Sequence, residues 1–176
     1  MDIIEQINKT KDIHLLLQSF LAVKKRLLDD EIGVATSLTD PVGQFAEYLT
    51  LKTFGGVRTK NGTTGCDVID KKNIKIEVKG RLKKHETYKP KTYINDSNLQ
   101  NKTFDYLVYI VFDTEFNVEY AFGVKRSNFK NVFHTVQHKN SRLKWLIKAR
   151  EDLLTMNNVD NLTKKIQRAN KALKRN

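Results

Sequence analysis

Residues 65–80 read Gly65-Cys66-Asp67-Val68-Ile69-Asp70-Lys71-Lys72-Asn73-Ile74-Lys75-Ile76-Glu77-Val78-Lys79-Gly80. Side chains alternate along a strand, so Ile74, Ile76 and Val78 share one face, and Lys75, Glu77 and Lys79 share the other. The stretch also reads as a hairpin. With Lys71-Lys72-Asn73 as a three-residue turn, Asn73 supplies the left-handed position and Asp70 pairs with Ile74. Val68 then lies opposite Ile76 on the core face, and Asp67 lies opposite Glu77. A turn of two or four residues would put the two acids on opposite faces. The register in which both strands agree about the buried side is the one that brings the carboxylates together. The plain alternative is that the charged face is only solvated.

Outward from this hairpin the chain reads as alternating elements. Upstream, a helix starts near Pro41, with Ser37, Thr39 or Asp40 as its cap, runs through QFAEYLTLKTF and is stopped by Gly55-Gly56. Gly56–Lys60 reads as a strand preceding the hairpin. Earlier still, 3–28 is helical, with an interruption at Thr10–Asp12 and Thr10 or Asp12 capping the second part. Downstream, Arg81–Asn98 lacks periodicity and reads as a loop, followed by a helical turn at Leu99–Lys102. Phe104–Phe112 is an apolar run of the kind buried on both sheet faces. Asn117–Val124 gives a further strand. Helices are predicted near Ser127, at Leu143–Leu154 and at 160–175. The fold class is α/β: a mixed central sheet of about five strands flanked by helices, with helical N- and C-terminal extensions. The organisation is an N-terminal helical segment (1–36), a core (37–125) and basic C-terminal helices (126–176) packed on that core as one domain.

Length and charge narrow the partners. At 176 residues, with 39% hydrophobic side chains, the chain can build one ordinary core, which excludes wholesale disorder. The longest apolar run, Tyr106–Phe112, is too short to cross a bilayer. The acidic start MDIIEQINKTKD is unlike a secretory signal, and Cys66 is the only cysteine, so the expectation is a cytoplasmic protein without disulfides. The net charge is +12, of which residues 125–176 hold +11. That concentration favours a polyanion, nucleic acid ahead of anionic membrane, through phosphate neutralisation and counterion release.

Two facing carboxylates repel unless a cation or proton joins them. Hard oxygen ligands suit Mg²⁺, with Mn²⁺ as the alternative. A lysine one pleat away can orient or deprotonate a metal-activated water, or stabilise charge building on phosphorus. This is the equipment of metal-assisted phosphodiester hydrolysis. Asp67, nine intervening residues and Glu77-Val78-Lys79 on the next strand, after a helix bearing Glu47, resemble the PD-(D/E)xK nuclease superfamily, the fold of many restriction endonucleases. The stretches GCDVID…IEVKGR, FDYLVYIVFD and YAFGVKRSNF are similar to its small solitary members. The likeness covers about Pro41–Phe129, with Cys66 where the motif has proline. It implies a restriction-endonuclease-like fold, Asp67 and Glu77 as metal ligands with the Val78 carbonyl, Lys79 as the group assisting the attacking water, and Glu47 as an additional ligand, a space Gln44 could also fill. The expectation is a Mg²⁺-dependent DNA endonuclease of restriction type, working as a homodimer. The alternatives are a catalytically inactive DNA-binding module on the same fold, and a junction resolvase or repair nuclease.

The segment after the catalytic strand adds Arg81, Lys83, Lys84, Tyr88, Lys89, Lys91 and Tyr93 as expected DNA contacts, cations for phosphates and tyrosines for bases. The last helix presents Lys164, Lys165, Arg168, Lys171, Lys174 and Arg175 for the same polyanion, or merely a solvated rim. His134 and His138 have a zinc-compatible helical spacing but no third ligand, so they read as surface histidines. Cys66 reads as a small buried strand residue, and Trp145 as part of a C-terminal core. No glycine-rich phosphate loop is present, so no nucleotide cofactor is expected.

Overall fold

The hairpin forms in the expected register. In the computed structural model, which describes residues 3–28, 40–59, 65–137 and 143–173, Val68 pairs with Ile76 and Ile69 with Lys75. The Asp70 N–H donates to Ile74 O at 3.0 Å, and Asn73 holds the positive φ of 64° that closes the turn. Asp70 Oδ1 secures it by accepting the N–H groups of Lys72 and Ile74, both at 2.8 Å.

The chain divides into two compact units, 1–41 and 42–176. The first contains α1 (Ile3–Lys9) and α2 (Ile13–Leu28). Asp12 caps α2, its Oδ1 accepting the N–H groups of His14 at 2.9 Å and Leu15 at 3.1 Å. Ile13, Leu17, Phe20 and Leu21 of α2 are exposed.

The second unit is mixed α/β. Helix α3 (Pro41–Phe54) ends where Gly55 takes a φ of 71° and its N–H reaches Leu51 O at 2.7 Å, the left-handed stop that glycine adopts without a Cβ penalty. Strands β1 (Val57–Arg58), β2 (Val68–Ile69) and β3 (Lys75–Leu82) follow. Next come β4 (Lys91–Asn95), α4 (Asp96–Gln100), β5 (Tyr106–Phe112) and β6 (Val118–Lys125). The chain continues through a 3₁₀ turn into α5 (Phe129–Val132), then β7 (His134–Gln137) and β8 (Leu143–Lys148). A 3₁₀ segment at Glu151–Thr155, β9 (Asp160–Asn161) and α6 (Thr163–Leu173) complete it. No helix among the described residues is long and apolar enough to cross a membrane.

Six strands form one sheet in the order β1-β2-β3-β5-β6-β9, with β3 and β5 parallel and the other pairings antiparallel. The second sheet, β4-β8-β7, is antiparallel. Strand β5 explains why Tyr106–Phe112 carries almost nothing polar. Val108, Ile110 and Phe112 join Ala46, Leu49, Val78 and Ile166 in a core with α3 and α6. Leu107, Tyr109 and Val111 face the opposite way, into a core with Ile94, Trp145 and Ile147 of the small sheet.

Three sequence expectations are corrected. The presumed loop Arg81–Asn98 begins as the end of β3 and contains β4 and the start of α4. Leu143–Leu154, expected as a helix, is β8 followed by a 3₁₀ segment, so 126–173 are not simply basic helices. The sheet of about five strands is a six-stranded sheet accompanied by a three-stranded one. These corrections come from strand pairing, much of it between distant segments. Lys91–Asn95 finds its partner in Lys144–Lys148, a contact no local pattern announces.

Candidate functional site

Strand β3 divides its side chains as the alternation requires. Ile76 and Val78 are buried in the helix-facing core, while Glu77 and Lys79 project on the other side. That polar face is not merely solvated: Glu77 is only 7% exposed. Lys79 Nζ lies 2.6 Å from Glu77 Oε1 and is itself half-buried.

Asp67 sits just before β2, where the ladder to β3 ends. Its N–H donates to Ile76 O at 2.8 Å, and its carbonyl accepts the Thr59 N–H at 3.0 Å. The carboxylate turns onto the neighbouring strand, where Oδ2 accepts the Val78 N–H at 2.7 Å. Strand β2 covers β3 only at Lys75 and Ile76, so the Asp67 side chain continues the pairing where the backbone of β2 cannot. In a strand the N–H and C=O of one residue point to the same side, which puts the Val78 carbonyl on the edge that faces Asp67.

Helix α3 brings the third acid. An added Cβ on Gly80 would lie 2.6 Å from Ala46 Cβ and 2.7 Å from Val42 O, so only glycine permits this close approach of helix to strand. At the residue after Ala46, Glu47 Oε2 meets Arg58 Nη2 of β1 at 3.1 Å. The same Nη2 donates to Gln44 O at 2.7 Å, with Gln44 Oε1 at 3.4 Å. Gln44 and Glu47 therefore converge on Arg58 rather than substituting for one another.

The electrostatics tie these residues into one cluster. Burial, then the negative charge of Asp67, pushes the Glu47 carboxyl up to about 7, against the opposing pull of Arg58 and Lys79. Burial also raises Glu77; Lys79 pulls it down and Asp67 pushes it up again. With Glu47, Asp67 and Glu77 all ionised, Arg58 and Lys79 leave one negative charge unbalanced. Among the described residues no three His, Cys, Asp or Glu side chains stand close enough to form a ready-made metal cluster. The donor set that fits a divalent cation is smaller: Asp67, Glu77 and the edge carbonyl. That suits Mg²⁺, which is commonly held by one or two carboxylates and keeps several waters.

Arg58 was not singled out in the sequence, because its place follows only from strand pairing. Its strand pairs Arg58 with Val68, one residue from Asp67, so a cation there is placed to meet the acids.

The expected DNA contacts separate. Arg81 turns inward, donating to Gly80 O at 2.6 Å and to Thr92 Oγ1 at 2.8 Å. Lys83 Nζ pairs with Glu119 Oε2 at 3.1 Å. Lys84 and Lys89 are exposed and Tyr88 is half-buried, its ring centroid 5.6 Å from that of His85. Lys91 and Tyr93 are exposed on β4. His134 lies exposed on strand β7, not on a helix; His138, Lys174 and Arg175 lie outside the described residues. Cys66 is buried, and burial followed by the charge of Asp67 pushes its thiol up, which suppresses the nucleophilic thiolate. Trp145 packs edge-on against Phe129 and donates to Asp96 Oδ1 at 2.7 Å.

The sequence matches no family model, and no curated protein is significantly similar to it.

Proposed function

We propose that this chain is a divalent-metal-dependent DNA phosphodiesterase of the PD-(D/E)xK kind. The observation that carries the reading is the seating of Asp67 Oδ2 on the Val78 N–H at 2.7 Å, beside the Glu77–Lys79 pair. Two carboxylates and a lysine are thereby assembled at one sheet edge. The mixed sheet with parallel β3 and β5, flanked by α3 and α6, is compatible with the restriction-endonuclease-like fold.

Asp67 and Glu77 would hold Mg²⁺, with Mn²⁺ as the substitute and the Val78 carbonyl as a further oxygen. The ion supplies Lewis-acid stabilisation and an acidified water. Lys79 offers its positive charge to the phosphate oxygens and orients the attacking water from its place against Glu77. Glu47, held by Arg58, sets the negative field around Asp67 and serves as the additional acid. A single such site per chain cuts one strand, so cutting a duplex through calls for two copies.

The test is plasmid cleavage by the full chain with and without Mg²⁺, comparing wild type with Asp67→Asn and Lys79→Ala. Metal-dependent nicking or cutting that both substitutions abolish is the expected result. Discrete fragments indicate a restriction enzyme, whereas preference for branched substrates indicates a resolvase or repair enzyme.

A second reading has its own support. Glu77 with Lys79 and Glu47 with Arg58 already form ion pairs, an arrangement that also suits a catalytically inactive DNA-binding module. DNA binding without cleavage under any divalent metal selects it.

A further inference from the structure

Strands β4, β8 and β7 carry no aspartate or glutamate, and their register sorts them into two unlike faces. Thr92, Ile94, Trp145 and Ile147 point inward and are buried. On the outer face, Lys91 lies directly opposite Lys148, and Tyr93, Leu146 and His134 form one row across the three strands. The next row places Lys144 between Asn95 and Val136. Lys91, Tyr93, His134 and Lys148 are exposed, and Leu146 and Lys144 are half-buried in the middle strand.

Like charges directly opposite each other weaken a sheet. The pairing of Lys91 with Lys148, with no acid on any of the three strands, therefore carries an unfavourable repulsion. Alternate residues along a strand are about 6.8 Å apart and neighbouring strands about 4.8 Å. Lys144 and Lys148 thus flank Leu146 on β8, and a flat ring–aliphatic–imidazole row lies between cations. Duplex DNA offers such a face its phosphates and groove edges but keeps its base faces stacked inside. An unpaired strand offers phosphates to the lysines and base faces to the row.

We propose that the outer face of the β4-β8-β7 sheet binds single-stranded nucleic acid, Lys91, Lys144 and Lys148 neutralising phosphates and Tyr93 and His134 stacking on bases. This deepens the nuclease reading by naming where a strand is held, yet it is measured without metal or cleavage.

The experiment titrates the full chain, in EDTA, against a fluorescent oligodeoxythymidylate of roughly 20 nucleotides, longer than typical single-strand site sizes. A matching duplex and phosphatidylserine vesicles are run alongside. Replacing Lys91, Lys144 and Lys148 by glutamine is expected to weaken oligonucleotide binding at least tenfold, and to flatten the slope of log affinity against log salt by about 2, at about 0.7 per phosphate contact. Tyr93→Ala alone is expected to weaken it by about 5- to 150-fold. The triple variant should melt at or above wild type, since it relieves the opposed lysines. Unchanged affinity and slope in the triple variant overturns the proposal. So does tighter binding of duplex through the same lysines, or vesicle binding without oligonucleotide binding. Failure of wild type to cut DNA with Mg²⁺ bears on the nuclease reading alone.

Discussion

Gly80→Ala is the sharpest test of how the site is assembled, because the geometry gives its size. The new methyl would stand 2.6 Å from Ala46 Cβ and 2.7 Å from Val42 O, whereas non-bonded carbon atoms settle at about 3.5–4.0 Å. Neither neighbour is the free end of a long side chain, so α3 must lift from β3 by about 1 Å. Overpacking of this kind costs about 1–3 kcal/mol. Gly80 is not among the described residues with positive φ, so alanine meets no backbone strain and the contact alone sets the outcome. At about 2–4 °C per kcal/mol for a chain of this length, the melting midpoint should fall by about 2–12 °C. Thermal unfolding followed by circular dichroism measures it. Adding Ala46→Gly removes one of the two clashes and leaves Val42 O, at a helix-propensity cost of about 1 kcal/mol, so the double variant should lose less than the two single losses summed. Because α3 carries Glu47, a displacement of this size should also lower metal-dependent cleavage, by up to about 10²-fold. If Gly80→Ala melts with wild type, or above it, the account of helix placement is wrong.

Three further outcomes follow from the same structure. Asn73→Ala places a Cβ-bearing residue without a polar side chain at φ 64° and should cost about 1–2 kcal/mol, while Asn73→Gly should not; urea midpoints distinguish them. Glu47 is raised from its ordinary 4.5 to about 7, so the folded chain holds a proton there that the unfolded chain has released. Its contribution to stability therefore falls as pH rises from 4.5 to 7, by at most about 3 kcal/mol. Glu47→Gln should flatten the stability–pH curve measured in EDTA over that window, and parallel curves would contradict the assignment. Mg²⁺ at 100 times its dissociation constant should stabilise wild type by about 2.7 kcal/mol, an increment that Asp67→Asn should largely remove in differential scanning calorimetry.

The hairpin was legible because two independent patterns agreed: the apolar alternation of Val68, Ile76 and Val78, and a turn ending in Asn73. Pro41 and Gly55 bounded α3 for equally local reasons, and β5 declared itself by being apolar on both sides. The small sheet was hidden by its own chemistry. In Lys91–Asn95 the inward residues are only Thr92 and Ile94, set among basic and polar neighbours that read as loop. In Leu143–Lys148, Trp145 and Ile147 alternate properly, but together with Leu146, Leu153 and Leu154 they also fit a helical spacing. Pairing with β7 on one side and with β4, far away in the chain, on the other selects the strand. The register that sets Asp67 opposite Glu77 was readable from spacing; Arg58 and the inward turn of Arg81 were not, because both depend on which element packs beside them.

Asp67 also guards a vulnerable border. Past Ile76, the side of β3 that faces it has no neighbouring strand from β2, and open strand borders recruit foreign strands. By occupying the Val78 N–H, the Asp67 carboxylate removes one rung of that template. Truncation to alanine would remove the proposed ligand and free the rung together, so an insoluble or self-associating alanine variant would say little about the proposed catalysis. Asparagine retains an oxygen to accept the bond, which makes it the cleaner way to silence the site while leaving the molecule well behaved.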